Sequence, residues 1–148
     1  MVGLLRCPVC AECRSDKGAR RSKTKPTEQP ALYNRLGGVY SFATVVDDFI
    51  NRIMVDPRSN ANPLVEEAHH RVPPAGFKYL MTEMVCWATG GPQKYTGKSM
   101  ADSHAHLKIT SVEWEAFLDD FQQTSDKFSV PAEEQAELKA IVDSQPYM

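Results

Sequence analysis

The chain has no apolar run near the roughly 18 residues that a membrane span needs. Its opening apolar stretch, Met1 to Leu5, ends at Arg6 and is too short for the h-region of a secretory signal. The expectation is a cytoplasmic protein with no membrane partner. Equally absent are Gly-x-Ser-x-Gly, Gly-x-x-x-x-Gly-Lys-Ser/Thr and His-Glu-x-x-His, which leaves serine hydrolysis, P-loop phosphoryl transfer and zincin chemistry without support. The adjacent carboxylates Glu66–Glu67 and Asp119–Asp120 point in different directions on a helix, so they read as solvated faces rather than acid–base dyads. No segment shows the strict alternation of a half-buried strand.

Cysteine is scarce and badly placed for a disulfide framework. Cys7, Cys10 and Cys13 crowd one end, and Cys86 falls inside a helical pattern. Cys-Pro-Val-Cys resembles half a zinc knuckle, but a closed site wants four ligands. The net charge of −2 hides a split, with residues 1–29 at +4 and residues 30–148 at −6. The basic segment carries no interleaved aromatics, so it reads as a solvated, disordered arm over 1–30 and not as a nucleic-acid surface. The remainder, 31–148, is long enough for one domain.

What is present is helical periodicity. Leu32 to Leu36 makes a short turn closed by Gly37-Gly38. Ser41 is placed to cap a helix over 41–55 whose stripe is Phe42, Val45, Val46, Phe49, Ile50, Ile53 and Met54. Prolines at 63, 73 and 74 interrupt the next segment, in which 64–72 can form a short helix carrying His69 and His70. A second stripe follows, Phe77, Leu80, Met81, Met84, Val85 and Ala88. Tyr79 and Trp87 widen it to a helix buried on more than one side. Gly90-Gly91-Pro92 stops that helix. Thr110 and Glu113 form a capping box for a helix over 111–127, and Pro131 opens a last helix in its first turn. The architecture is all-α, with about four main helices packed crosswise or as a bundle.

Between the glycine corner and Thr110 lies the stretch Tyr95-Thr96-Gly97 to Ile109. Met100, His104 and Leu107 are spaced i, i+4 and i+7 and share one face, so His104 points into apolar space as a core histidine or as a ligand. His106 is turned about 200° further round and should face away. The four histidines are the only concentrated ligand chemistry in the domain, and an apolar helical cage with one inward imidazole suits a haem.

These signals resemble the truncated (two-over-two) haemoglobins, most closely their first group. The resemblance rests on Tyr33-Asn34-Arg35-Leu36-Gly37-Gly38, Val45-Val46-Asp47-Asp48-Phe49 and Ala88-Thr89-Gly90-Gly91-Pro92. It continues through Tyr95-Thr96-Gly97, Met100 with His104-Ala105-His106-Leu107-Lys108-Ile109, and Val130-Pro131. It implies a two-over-two antiparallel helix sandwich around haem b. His104 would be the proximal iron ligand, and the function the reversible binding or transport of dioxygen, or of another diatomic such as NO or CO. Phe49, Leu80, Met84, Val85, Met100, Leu107 and Phe117 are candidates for the pocket wall, and Tyr95 for the loop beside it.

On the far side the chain departs from the family. Ile50 stands where many members carry a tyrosine that donates a hydrogen bond to the bound gas, and Met81, with Phe77 a turn earlier, stands where a polar group is usual. Such a charge-assisted bond is worth roughly 1.5–3 kcal/mol, so its absence raises the oxygen off-rate by about tenfold to a hundredfold. Leu64 or Val65 replaces the usual haem-stacking phenylalanine. His69 or His70 could swing in as donor or sixth ligand, giving a protein of electron transfer or sensing. Nitric-oxide dioxygenation, with a partner reductase, is a further alternative, and a helical interaction module with a zinc-binding tail the remotest. The sequence sets no oligomeric state.

Overall fold

The computed structural model describes residues 29–145, and those residues form eight helices and no strand. The Cys7, Cys10 and Cys13 motif and all but the last two residues of the expected disordered arm lie outside them. In chain order the helices are α1 (Leu32–Arg35), α2 (Gly38–Val55), α3 (Pro57–Asn60), α4 (Pro63–Arg71), α5 (Pro74–Ala88), α6 (Met100–His104), α7 (Ser111–Lys127) and α8 (Ala132–Asp143). None is long and apolar enough to cross a membrane.

α2 begins three residues ahead of the expected start, because Ser41 is not its cap. Gly37 takes that place in a left-handed conformation (φ 88°), and the Ser41 hydroxyl sits a turn inside, donating to the Gly37 carbonyl at 3.4 Å. Short helices fill the proline-broken segment. Asp56 accepts from the Arg58 N–H at 2.8 Å and Asn62 from the Leu64 N–H at 3.0 Å, each capping a helix whose first residue is proline. α5 likewise starts on Pro74, ahead of its apolar stripe.

Tyr79 and Trp87 correct the expectation for α5: they are 61% and 56% exposed, so the helix is buried on one side only. They lie on the turn-spaced row that includes Glu83, and Glu83 accepts from the Tyr79 hydroxyl at 2.6 Å. α7 spans the expected residues, with the Thr110 N–H held by the Glu113 carboxylate at 2.8 Å. Pro131 stands at the N-cap of α8 rather than within its first turn.

α2 is the central helix, packed against both α5 and α7. Val46, Phe49, Ile50 and Ile53 form its buried face, met by Phe77 and Met81 from α5 and by Phe117 and Phe121 from α7. Phe49 sits edge-on to Phe117, with centroids 5.1 Å apart. The Arg35 guanidinium ties α1 to α8, donating to Glu134 from Nε at 3.1 Å and from Nη2 at 3.0 Å, with Glu137 alongside.

A second junction clamps α3 to α7. Arg58 pairs with Asp56 at 2.8 Å and with Asp119 at 2.9 Å. Asp120 is only 5% exposed, its carboxyl buried against that of Asp56. The reading of Asp119–Asp120 as a solvated pair therefore holds for the first residue and fails for the second. α7 buries the side that Asp120 shares with Ala116 and Thr124, where Asp56 faces it.

Candidate functional site

A cavity of about 800 Å³ opens between α2, α4, α5, α7 and α8, with α6 and its flanking loops along one border. Phe49, Phe77, Leu80, Met81, Met84, Val85, Tyr95, Met100, His104, Leu107 and Phe117 all line it. The sequence-predicted wall is thus brought together from four separate stretches of chain. Its size falls in the range of cofactor sites, and its lining is chiefly aliphatic, aromatic and methionine side chains.

His104 is the last residue of α6, a five-residue helix capped by the Ser99 hydroxyl, which accepts from the Asp102 N–H at 3.0 Å. Its Nδ1 lies 2.8 Å from the Met100 carbonyl oxygen. A carbonyl can only accept, so Nδ1 carries the proton and Nε2 the lone pair. Burial pushes the imidazole pKa down, partly offset by the Met100 bond and reinforced by nearby His106, so the neutral ring is favoured. These are the tautomer and charge state a metal ligand needs.

The loops around α6 are pinned from two sides. The Asn62 side-chain amide donates to the Leu107 carbonyl at 3.1 Å. Glu83 on α5 accepts from the backbone N–H and hydroxyl of Thr96 at 3.2 and 2.6 Å, and these donors hold its carboxyl below the usual range. The glycine corner is packed as tightly: a Cβ at Gly91 would meet the Cys86 carbonyl oxygen at 2.7 Å and Tyr33 at 2.6 Å. Tyr33 knots the same corner, its N–H donating to the Thr89 carbonyl and its hydroxyl accepting from Val39 N–H and the Gln93 side-chain amide.

Three expectations at this site need correction. Helix α6 ends at His104, so Leu107 and His106 follow in a turn and helical angles do not apply to them. Leu107 still lines the cavity, and His106, expected to face away, borders it too. Ile50 is 0% exposed, sealed in the α2 core, and does not line the cavity. Its position on α2 lies round from the row of Phe42, Val46, Phe49 and Ile53 that does.

The two loop histidines separate. His70 is exposed and off the cavity, 4.0 Å from Glu66, whereas His69 lines the cavity with its Nδ1 2.8 Å from the Asn60 side-chain oxygen. Burial and neighbouring His70 push the His69 pKa down. Val65 lines the cavity and Leu64 does not.

A helical cage around one neutral, backbone-oriented imidazole has a counterpart among known proteins: residues 31–145 match the family model described as bacterial-like globin. The chain belongs to that family. Curated relatives of this globin include a group 1 truncated haemoglobin of Synechocystis sp., 25% identical and matched over 74% of this chain and 87% of its own. Another is a group 1 truncated haemoglobin of Tetrahymena thermophila, 20% identical over 78% and 91%. Among solved structures, the truncated haemoglobin of Tetrahymena pyriformis in an Fe(III) form superposes with a TM-score of 0.66 at 20% identity, covering 76% of this chain and 91% of that one. The fold is that of the truncated globins, as the sequence resemblance implied, and a globin of this family is a haem-binding protein that takes diatomic gases.

The globin's own residues fit a haem. The cavity is large and apolar, His104 offers a neutral nitrogen, and two cations, Arg71 at the end of α4 and Lys98 before α6, sit on the border. Sequence reasoning passed over both cations, since each looks like any solvated loop charge. It also missed Trp114, which lines the cavity and stacks on Phe117 with centroids 5.2 Å apart, and Leu138, Ile141 and Val142 of α8. Helical spacing puts Trp114 and Phe117 on one face of α7, and Leu138, Ile141 and Val142 on one face of α8; what the sequence lacks is any signal that those faces border a void.

Proposed function

We propose that this globin binds haem b in the cavity through His104 Nε2 and binds dioxygen, NO or CO reversibly on the opposite face. When bound, haem would supply an iron able to take a nitrogen ligand and a diatomic gas. The observation that carries the assignment is the His104 Nδ1–H donated to the Met100 carbonyl, which fixes ring orientation and leaves Nε2 as the lone-pair atom. Arg71 and Lys98 would pair with the two haem carboxylates at the border. Phe49, Phe77, Leu80 and Met81 present an apolar wall that keeps bulk water from the gas. His106 borders the cavity without the backbone bond that orients His104, which favours His104 as the ligand.

The test is replacement of each histidine. His104→Ala is expected to abolish stable haem uptake, measured as the ratio of haem to protein absorbance after reconstitution, while His106→Ala retains it. Full haem content and an unaltered spectrum in the His104 variant would refute the assignment.

A further inference from the structure

We propose that His69 is a built-in second nitrogen ligand for the haem iron, displaced by incoming gas, and that Asn60 is the positioning residue that makes it one. The inference rests on the reading of the cavity as a haem site.

The argument starts from Asn60 at the end of α3. Its side-chain amide nitrogen donates to the Met54 carbonyl at 3.0 Å, which settles which end of the amide is nitrogen. The other end, Oδ1, therefore faces His69 Nδ1 at 2.8 Å as an acceptor only. Nδ1 must hold the ring proton, and the lone pair falls on Nε2. His69 is half-buried and lines the same cavity as His104. Both imidazoles are thus set in one way, with Nδ1–H on a fixed amide oxygen and Nε2 left with the lone pair.

That tautomer decides between the two roles open to His69. A histidine that steadies a bound gas must offer an N–H from Nε2, and here Nε2 has no proton to offer. A histidine that ligates a metal must offer a lone pair and is oriented by a bond at the other nitrogen, which Asn60 supplies. His70 shares neither feature, being exposed beside Glu66. The element that carries His69 is suited to move: α4 is a nine-residue helix between Pro63 and the Pro73-Pro74 pair, packed chiefly on the four-residue α3.

The experiment is visible and electron-paramagnetic-resonance spectroscopy of the full-length, haem-loaded protein. The wild-type ferrous form is expected to show the sharp split bands of two axial nitrogens, and the ferric form a low-spin signal. His69→Leu should give a single broad ferrous band and a high-spin ferric signal, and added free imidazole should restore the split bands. His70→Leu should leave the spectrum as in the wild type. Asn60→Leu should shift the mixture toward the open form, and Asn60→Asp, which keeps an acceptor for Nδ1–H, should rescue it. If His69 occupies the iron nine-tenths of the time, CO association should be about tenfold slower in the wild type than in His69→Leu. An open-site spectrum in the wild type, or split bands persisting in His69→Leu, overturns this inference alone. Failure of the wild type to take up haem overturns the site reading with it.

Discussion

Replacing Asp120 by Asn is expected to stabilise the protein above neutral pH and to change little in acid. Asp120 is almost wholly buried, and its pKa is pushed from 3.8 to about 6 by burial and by the charge of Asp56 facing it, with Arg58 opposing only in part. A carboxyl whose folded pKa is raised keeps in the native state a proton that the unfolded chain releases. Its contribution is therefore full below about pH 4 and is lost as pH rises through about 6. At about 1.4 kcal/mol per unit, the loss amounts to on the order of 3 kcal/mol by about pH 8. Asp56 runs the other way, since the Arg58 bonds hold its pKa low, so its contribution is present above about pH 4 and is lost on acidification. Asn removes the Asp120 titration and leaves in place the Arg58 bonds that are the chief cause of the low Asp56 pKa. Urea unfolding of both proteins, in the same haem state, at about pH 4.5 and about pH 8 measures it. The stability difference should grow by roughly 2 kcal/mol in favour of the variant between the two pH values. A variant no more stable than the wild type at the higher pH would refute the reasoning.

Further tests address the corner, the core and the latch. Gly91→Ala should cost about 1–3 kcal/mol in denaturant unfolding, because the new Cβ meets the Cys86 carbonyl oxygen at 2.7 Å and that backbone atom cannot swing aside. Ile50→Tyr should lower stability by a similar amount, about 1–3 kcal/mol, through overpacking, since Ile50 is sealed in the core. Stopped-flow oxygen release slowed about tenfold or more, with stability kept, would show instead that the tyrosine reaches the gas. Glu83→Gln loosens the hold on Thr96, and haem transfer to an acceptor globin should become faster while the visible spectrum stays unchanged. An unaltered transfer rate would remove Glu83 from the retention of haem.

The helices were legible where a local rule acts alone. The Thr110–Glu113 box delivered the start of α7, and the Gly90–Gly91 stop delivered the end of α5. Where two rules compete, sequence reasoning chose the wrong one: Ser41 is a good cap, but Gly37 in a left-handed conformation ended the preceding turn first. The placement of His104 on the cavity was legible because Met100 lies one helical turn before it. His106 is exposed, as expected, yet touches the edge of the cavity, because five residues are too few to carry a helical angle past their end. Asp120 looked like any surface carboxylate, and its burial is a tertiary fact set by Asp56 and Arg58 from a distant part of the chain. The roles of Asn60 and Asn62 are likewise long-range, each bonding to a residue outside its own helix.

Helix α6 has a consequence of its own. It is five residues long and contains no buried residue, so burial within the polypeptide alone does little to hold it in shape. Whatever binds His104 should therefore add to the order of α6, so that occupancy and local order are coupled. Each tenfold rise of free ligand above its dissociation constant adds about 1.4 kcal/mol to the folded side. Amide exchange across 99–109 should thus report cofactor loading, with α2 and its core serving as the slow-exchanging reference within the same molecule.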